Sequence, residues 1–159
     1  MKINNVINKI MSYVLGVLFI FMTLLATYQV VARYVFNAPS TISEDLLSYS
    51  FVWLSLIGAT VLFTDKGHMN IDFLYDKMSS KIQNLFDIIT NILVLVTSIL
   101  IFIYGGVKLI DVGSLQISPT LNIPLSYVYS IFPIMGVILL IICICNIYET
   151  ITKKLKQGW

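Results

Sequence analysis

The sequence predicts an all-α integral membrane fold. It has four transmembrane helices, both termini in the cytoplasm, and an amphipathic helix lying in the cytoplasmic interface. Three observations predict it. Apolar residues make up 58% of the 159-residue chain and charged residues 11%, with a mean hydropathy of +0.90, more apolar surface than a water-soluble domain can hide. Asp, Glu, Lys, Arg and His are missing between Ile10 and Ala32, Leu46 and Thr64, Ile88 and Val107, and Val112 and Tyr148. Each gap holds the ~20 residues that cross ~30 Å of hydrocarbon, where a backbone must bond to itself and is therefore helical. The basic residues are also asymmetric. Lys2, Lys9, Lys66, Lys77, Lys81, Lys153, Lys154 and Lys156 fall at the termini and in the 65–87 loop, against Arg33 and Lys108 on the other side. By the positive-inside rule the termini are cytoplasmic and residues 34–45 and 111–123 lie outside.

The first span is expected over about 10–36. Lys2 and Lys9 precede it as in a signal peptide, but its apolar core exceeds the ~7–15 residues of a secretory segment and no cleavage site follows, so it stays as a span. Asn37-Ala38-Pro39-Ser40 makes a turn. The second span, 42–64, opens on Thr41-Ile42-Ser43-Glu44, the pattern of a capping box in which Glu44 reaches back to the Thr41 N–H. Asp45 adds negative charge where the helix dipole is positive. Capping and a functional role for the acidic pair both fit the residues.

Between spans two and three, Ile71, Leu74, Met78, Ile82 and Leu85 recur every three or four residues, with Lys77 and Lys81 beside the stripe. A helix over about 70–82, capped by Asn70, fits two placements. It either lies on the membrane with its lysines near anionic headgroups, or packs on a partner's inner surface. The third span is expected over 85–108 and the fourth over 124–148, since Pro119 and Pro124 break the last gap. Pro133, with Gly136 nearby, predicts a kink.

Ser55 and Ala59 form a small-xxx-small pair at which another helix can approach closely, and Gly105-Gly106 offers a second such place. Tyr28, Tyr34, Phe36, Tyr49, Phe51, Tyr104 and Tyr127 form an aromatic belt at the outer boundary. Trp53 sits about two turns inside the second helix, deeper than a belt residue, and is expected to face a protein partner.

The chemistry is sparse. An ionisable side chain in a span usually marks a transport path, and the spans hold none; Gln29, Asn91 and Asn146 are their strongest polar groups and sit near span ends. His68 is the sole histidine, which excludes bis-histidine haem ligation within the chain. Cys143 and Cys145 point about 200° apart on a helix, so they neither pair nor form a metal motif. Asp65 and Asp72 around Gly67 are weak evidence for a cation site. No cofactor and no nucleic acid is expected, and no phosphate-binding or hydrolase motif is present.

From Arg33 to Asp72 the order of features resembles the small membrane subunit of tripartite ATP-independent periplasmic (TRAP) transporters. The matching residues are Arg33-Tyr34-Val35-Phe36, Glu44-Asp45-Leu46, Phe51-Val52-Trp53-Leu54, Gly58-Ala59 and His68-Met69-Asn70-Ile71-Asp72. Ile42 stands where that family commonly has tryptophan, and Ser48 where it commonly has arginine. The resemblance implies a non-catalytic subunit in a bacterial inner membrane. Its partners would be a large multi-span subunit that carries solute and sodium, and an extracytoplasmic binding protein that delivers a carboxylate-bearing solute, sialic acid or a C4-dicarboxylate. It also implies that Arg33, Glu44 and Asp45 pair with the large subunit or orient the outer loop. With Trp53, Ser55 and Ala59, read above from depth and spacing, they are the expected partner contacts, and Lys77 and Lys81 are expected at the lipid surface. The alternative is a self-contained oligomeric four-span exporter or channel with Thr23, Thr27 and Gln29 along its lumen; a redox or enzymatic subunit is disfavoured by the single histidine.

Overall fold

The charge-free runs become helices. A computed structural model describes residues 2–64 and 80–156. Helix α1 is Lys2–Tyr34 and α2 is Thr41–Thr64; α3, Ser80–Thr97, continues through a π-helical stretch, Ser98–Gly105, into α4, Gly106–Ser114; α5 is Ser126–Tyr129 and α6 Ile131–Lys156. Four stretches are long and apolar enough to span a membrane: Asn4–Tyr34, Thr41–Thr64, Leu85–Ser114 and Ser126–Tyr148. His68, Asp65, Asp72, Lys77 and nearly all of the expected 70–82 helix lie outside the described residues; α3 begins at Ser80 and takes in Lys81.

Two spans outrun the charge gaps. The first helix starts at Lys2 rather than near Ile10 because a polar residue of its first turns is buried: Asn4 Nδ2 donates to Asn146 Oδ1 at 2.8 Å, joining the start of α1 to the end of α6. The third span runs on past Lys108 to Ser114, and the Lys108 ammonium lies 4.5 Å from the centre of the Tyr104 ring, a contact that keeps the charge at the aromatic level.

The helices form a layer one helix thick. Helix α1 packs along α2, α2 along α6, and α6 along α3 and its π-helical continuation. Among the described residues no extended contact joins α1 to α3 or α2 to α3. Burial agrees: in an 18-residue apolar stretch of each span, 39% of the residues are buried in the fourth and 17% in the second, against 6% in the first and third. The order across the layer is therefore α1, α2, α6, α3, with α1 also reaching α6 through Asn4–Asn146 and Met11, and both broad faces carry exposed apolar side chains. Phe19, Ile20, Leu24, Phe51, Leu100 and Ile101 stand exposed on it, an arrangement that water would penalise and hydrocarbon accepts.

Two apolar clusters tie the layer. Met11, Ile57, Ile131 and Met135 join α1, α2 and α6. Phe63, Leu139, Ile142 and Cys143 form the second, in which Cys143 is a small apolar side chain; it and Cys145 are unpaired thiols.

The α3–α6 seam is a close approach. Ser98 Oγ donates to the Gly136 carbonyl at 2.6 Å. A Cβ on Gly136 would stand 2.8 Å from Ile103 Cγ1, and one on Gly106 would stand 2.9 Å from Pro133 Cδ. Of the Gly105-Gly106 pair, Gly106 makes the contact; Gly105 has the Leu100 carbonyl at 3.6 Å. The fourth span is interrupted at Ser130, one turn before Pro133, which has no N–H to offer the Tyr129 carbonyl. At that break the Trp53 indole Nε1 donates to the Val128 carbonyl at 3.0 Å, pinning α2 to the interruption.

Candidate partner interface

The end of the layer that carries residues 35–40 and 115–125 is termed the Arg33 end. Its first loop turns at Asn37, which takes the left-handed conformation (φ 49°) that asparagine tolerates better than most residues. Ser40 then caps α2: its Oγ accepts from the Ser43 N–H at 3.4 Å, and the Ser43 hydroxyl donates to the Ser40 carbonyl at 2.8 Å. The capping box expected at Thr41 does not form. Its carboxylate, Glu44, turns across the α1–α2 hairpin to the Arg33 guanidinium, because a charge-assisted partner outcompetes a neutral N–H. Both side chains stay partly in the open, at 49% and 41% exposure, so the pair contributes only about 0–1 kcal/mol.

Asp45 points the other way. Its Oδ2 accepts from Ser118 Oγ at 2.9 Å, from the Thr120 hydroxyl, and from Tyr49 OH at 3.5 Å. Ser118 is fully buried, and the loop around it is internally bonded. The Leu125 N–H meets the Gln116 carbonyl and the Ser118 N–H meets the Ile123 carbonyl, both at 2.9 Å, while Asn122 turns the chain at φ 55°. The adjacent acids thus divide the work: Glu44 holds α1 and Asp45 holds the 115–125 loop. Arg33, Glu44, Asp45 and Trp53 all have polar partners inside the chain.

Ser55 and Ala59 have a different setting. They are exposed and line a groove of about 640 Å³ between α1 and α2, together with Ser12, Gly16, Phe19 and Gly58. The structure therefore separates the six residues singled out as partner contacts. Four brace the Arg33 end, and two open onto an apolar groove. Three features were not anticipated from the sequence: the hydroxyl partners Ser118 and Thr120, the Asn4–Asn146 pair and Gly16. Ser118-Pro119-Thr120 carried one usable signal, two hydroxyls flanking a proline in a loop otherwise read only as a break between spans.

Among the described residues no group of three or more His, Cys, Asp or Glu is placed to hold a metal ion. The Thr23 and Thr27 hydroxyls donate to the Phe19 and Thr23 carbonyls of their own helix, both at 2.8 Å.

Residues 22–153 match the family model of the DctQ component of tripartite ATP-independent periplasmic transporters. The chain belongs to this family. It is a TRAP small permease subunit and not an enzyme. Among its relatives, the sialic acid TRAP transporter permease protein SiaT of Haemophilus influenzae is 28% identical over 134 residues, 84% of this chain but 22% of that protein. A second H. influenzae protein, described as a TRAP transporter small permease, is 28% identical over 145 residues, 91% of this chain and 89% of its own length. The sialic acid TRAP transporter small permease protein SiaQ of Vibrio cholerae is 29% identical over 79 residues, 50% of this chain and 46% of SiaQ. This chain thus spans about a fifth of SiaT and under half of SiaQ in those matches.

Proposed function

We propose that this chain is the non-catalytic small membrane subunit of a sodium-driven, binding-protein-dependent TRAP transporter that imports a carboxylate-bearing solute, and that it braces the large transport subunit. The observation that carries the reading is the one-helix-thick layer whose spans hold Asp, Glu, Lys and Arg only toward their ends, with none in the interiors 10–32, 46–64, 88–107 and 124–148. A solute path needs polar groups enclosed by helices, and an open layer encloses nothing. Such a layer offers a broad, stiff face to a larger membrane protein.

The lysine and arginine bias supports cytoplasmic termini and an extracytoplasmic Arg33 end, where a solute-binding protein would dock; the membrane is the bacterial inner membrane on this reading. Lys77 and Lys81 then sit toward anionic headgroups. Sialic acid is favoured over a C4-dicarboxylate by the names of the relatives SiaT and SiaQ.

Reconstitution tests the reading. The purified chain alone is expected to take up no sialic acid into liposomes under an inward sodium gradient, and uptake is expected once the large subunit and the binding protein are added. Sodium-dependent uptake by the chain alone would overturn it.

A further inference from the structure

Among the described residues, no neighbour requires glycine at position 16. Gly106, Gly113 and Gly136 are each pressed by a neighbour, since a Cβ on any of them would come within 3.0 Å of another residue. A Cβ on Gly16 would meet nothing within 4 Å, yet the residue lies in the interior of α1, where glycine is the poorest helix former after proline. It faces the groove that Ser55 and Ala59 also line.

We propose that this groove seats one transmembrane helix of the large permease subunit, with Gly16 and Ala59 at the closest approach of the backbones; this rests on the reading of the chain as a bracing small subunit. Three observations choose that occupant. The lining includes no ionisable side chain, so the occupant is apolar. The footprint on α1, from Ser12 to Phe19, is about 10 Å, two helical turns, the length over which two crossing helices touch before they diverge. The groove sets small residues, which suit the close approach of a backbone, among Leu15, Phe19, Leu54 and Leu62, whereas elsewhere α1 and α2 present Ile20, Leu24 and Phe51 to the exterior, bulky side chains suited to lipid tails. A membrane-embedded occupant also agrees with SiaT, in which the region like this chain is 22% of one longer permease polypeptide.

The test uses the chain co-expressed with its large subunit in native membranes. A photoreactive benzoylphenylalanine at position 55 is expected to yield an adduct with the large subunit on irradiation. Gly16→Leu, whose side chain enters open space within the chain, is expected to accumulate normally and to lower the co-purified large subunit at least about tenfold. Leu24→Phe, on the exterior of α1, is expected to leave it unchanged. Unchanged recovery with Gly16→Leu, or adducts formed solely with lipid or with a second copy of this chain, would overturn the groove assignment and leave the bracing reading intact. Should Gly16→Leu fail to accumulate, the position-55 adduct decides alone. Failure of the unsubstituted chain to recover any large subunit would overturn both.

Discussion

The Ser118 hydroxyl donates to the Asp45 carboxylate across 73 residues of chain, at 2.9 Å. That bond, with its neighbour from Thr120, fixes the second loop of the Arg33 end to the first turn of α2. Removing the carboxylate leaves the fully buried Ser118 hydroxyl with the Thr120 hydroxyl, at 3.2 Å, as its acceptor, a weaker partner than an ionised carboxylate. Asp45→Ala is expected to lower the Tm of the detergent-purified chain clearly, and Asp45→Asn less, since the amide keeps an acceptor oxygen. Ser118→Ala is expected to cost about 1 kcal/mol. Equal melting of Asp45→Ala and the unsubstituted chain would mean the loop holds itself.

Arg33→Ala and Glu44→Ala are expected to be mild. The pair is exposed on both sides, so each substitution should cost under about 1 kcal/mol, and a double-mutant cycle should give a coupling that shrinks as salt rises. In the assembled transporter both are expected to weaken subunit recovery more than they change solute preference. A coupling that is insensitive to salt would show that the pair is shielded from solvent.

Opposite signs are expected for two glycines in the isolated chain. Gly136→Ala drives a methyl into Phe102 and Ile103 across the α3–α6 seam and should destabilise by about 1–3 kcal/mol. Gly16→Ala meets empty space and should stabilise by up to about 1 kcal/mol through helix propensity. Thermal melts in one detergent compare them directly; a destabilising Gly16→Ala would place an unseen neighbour at that site.

Trp53→Phe keeps the ring volume in part and deletes the donor to the Val128 carbonyl. A loss of about 1 kcal/mol is expected, with faster amide exchange confined to residues 126–130. Uniform exchange across the fourth span would mean the indole steadies the whole helix.

The four spans could be read because ionisable side chains avoid hydrocarbon and their absence has a length. The order of those spans across the layer could not. In a bilayer, a lipid-facing position and a core-facing position are both apolar, so Leu24 and Ile142 look alike in sequence while one is 66% and the other 0% exposed. The capping error at Thr41 was one residue wide because Ser40 and Thr41 are both competent caps, and only the position of Arg33 showed where Glu44 would go. Asp45 was conspicuous, but its hydroxyl partners lie far downstream and no local spacing points to them. Ser55 and Ala59 were legible as small residues. The groove they line needed the second helix, because Gly16 becomes informative only once its surroundings are known to be empty.

The most enclosed helix, α6, is also the last of the four to leave the ribosome. The α1–α2 hairpin can pair as soon as both have cleared the translocon. Helix α3 must wait at the lipid boundary, with Ser98 and Gly106 facing hydrocarbon, until the fourth span slides in between. A nascent chain halted before Ser126 therefore displays an unclaimed helix to the quality-control proteases of the membrane, and completion of this small wall hinges on its final plank.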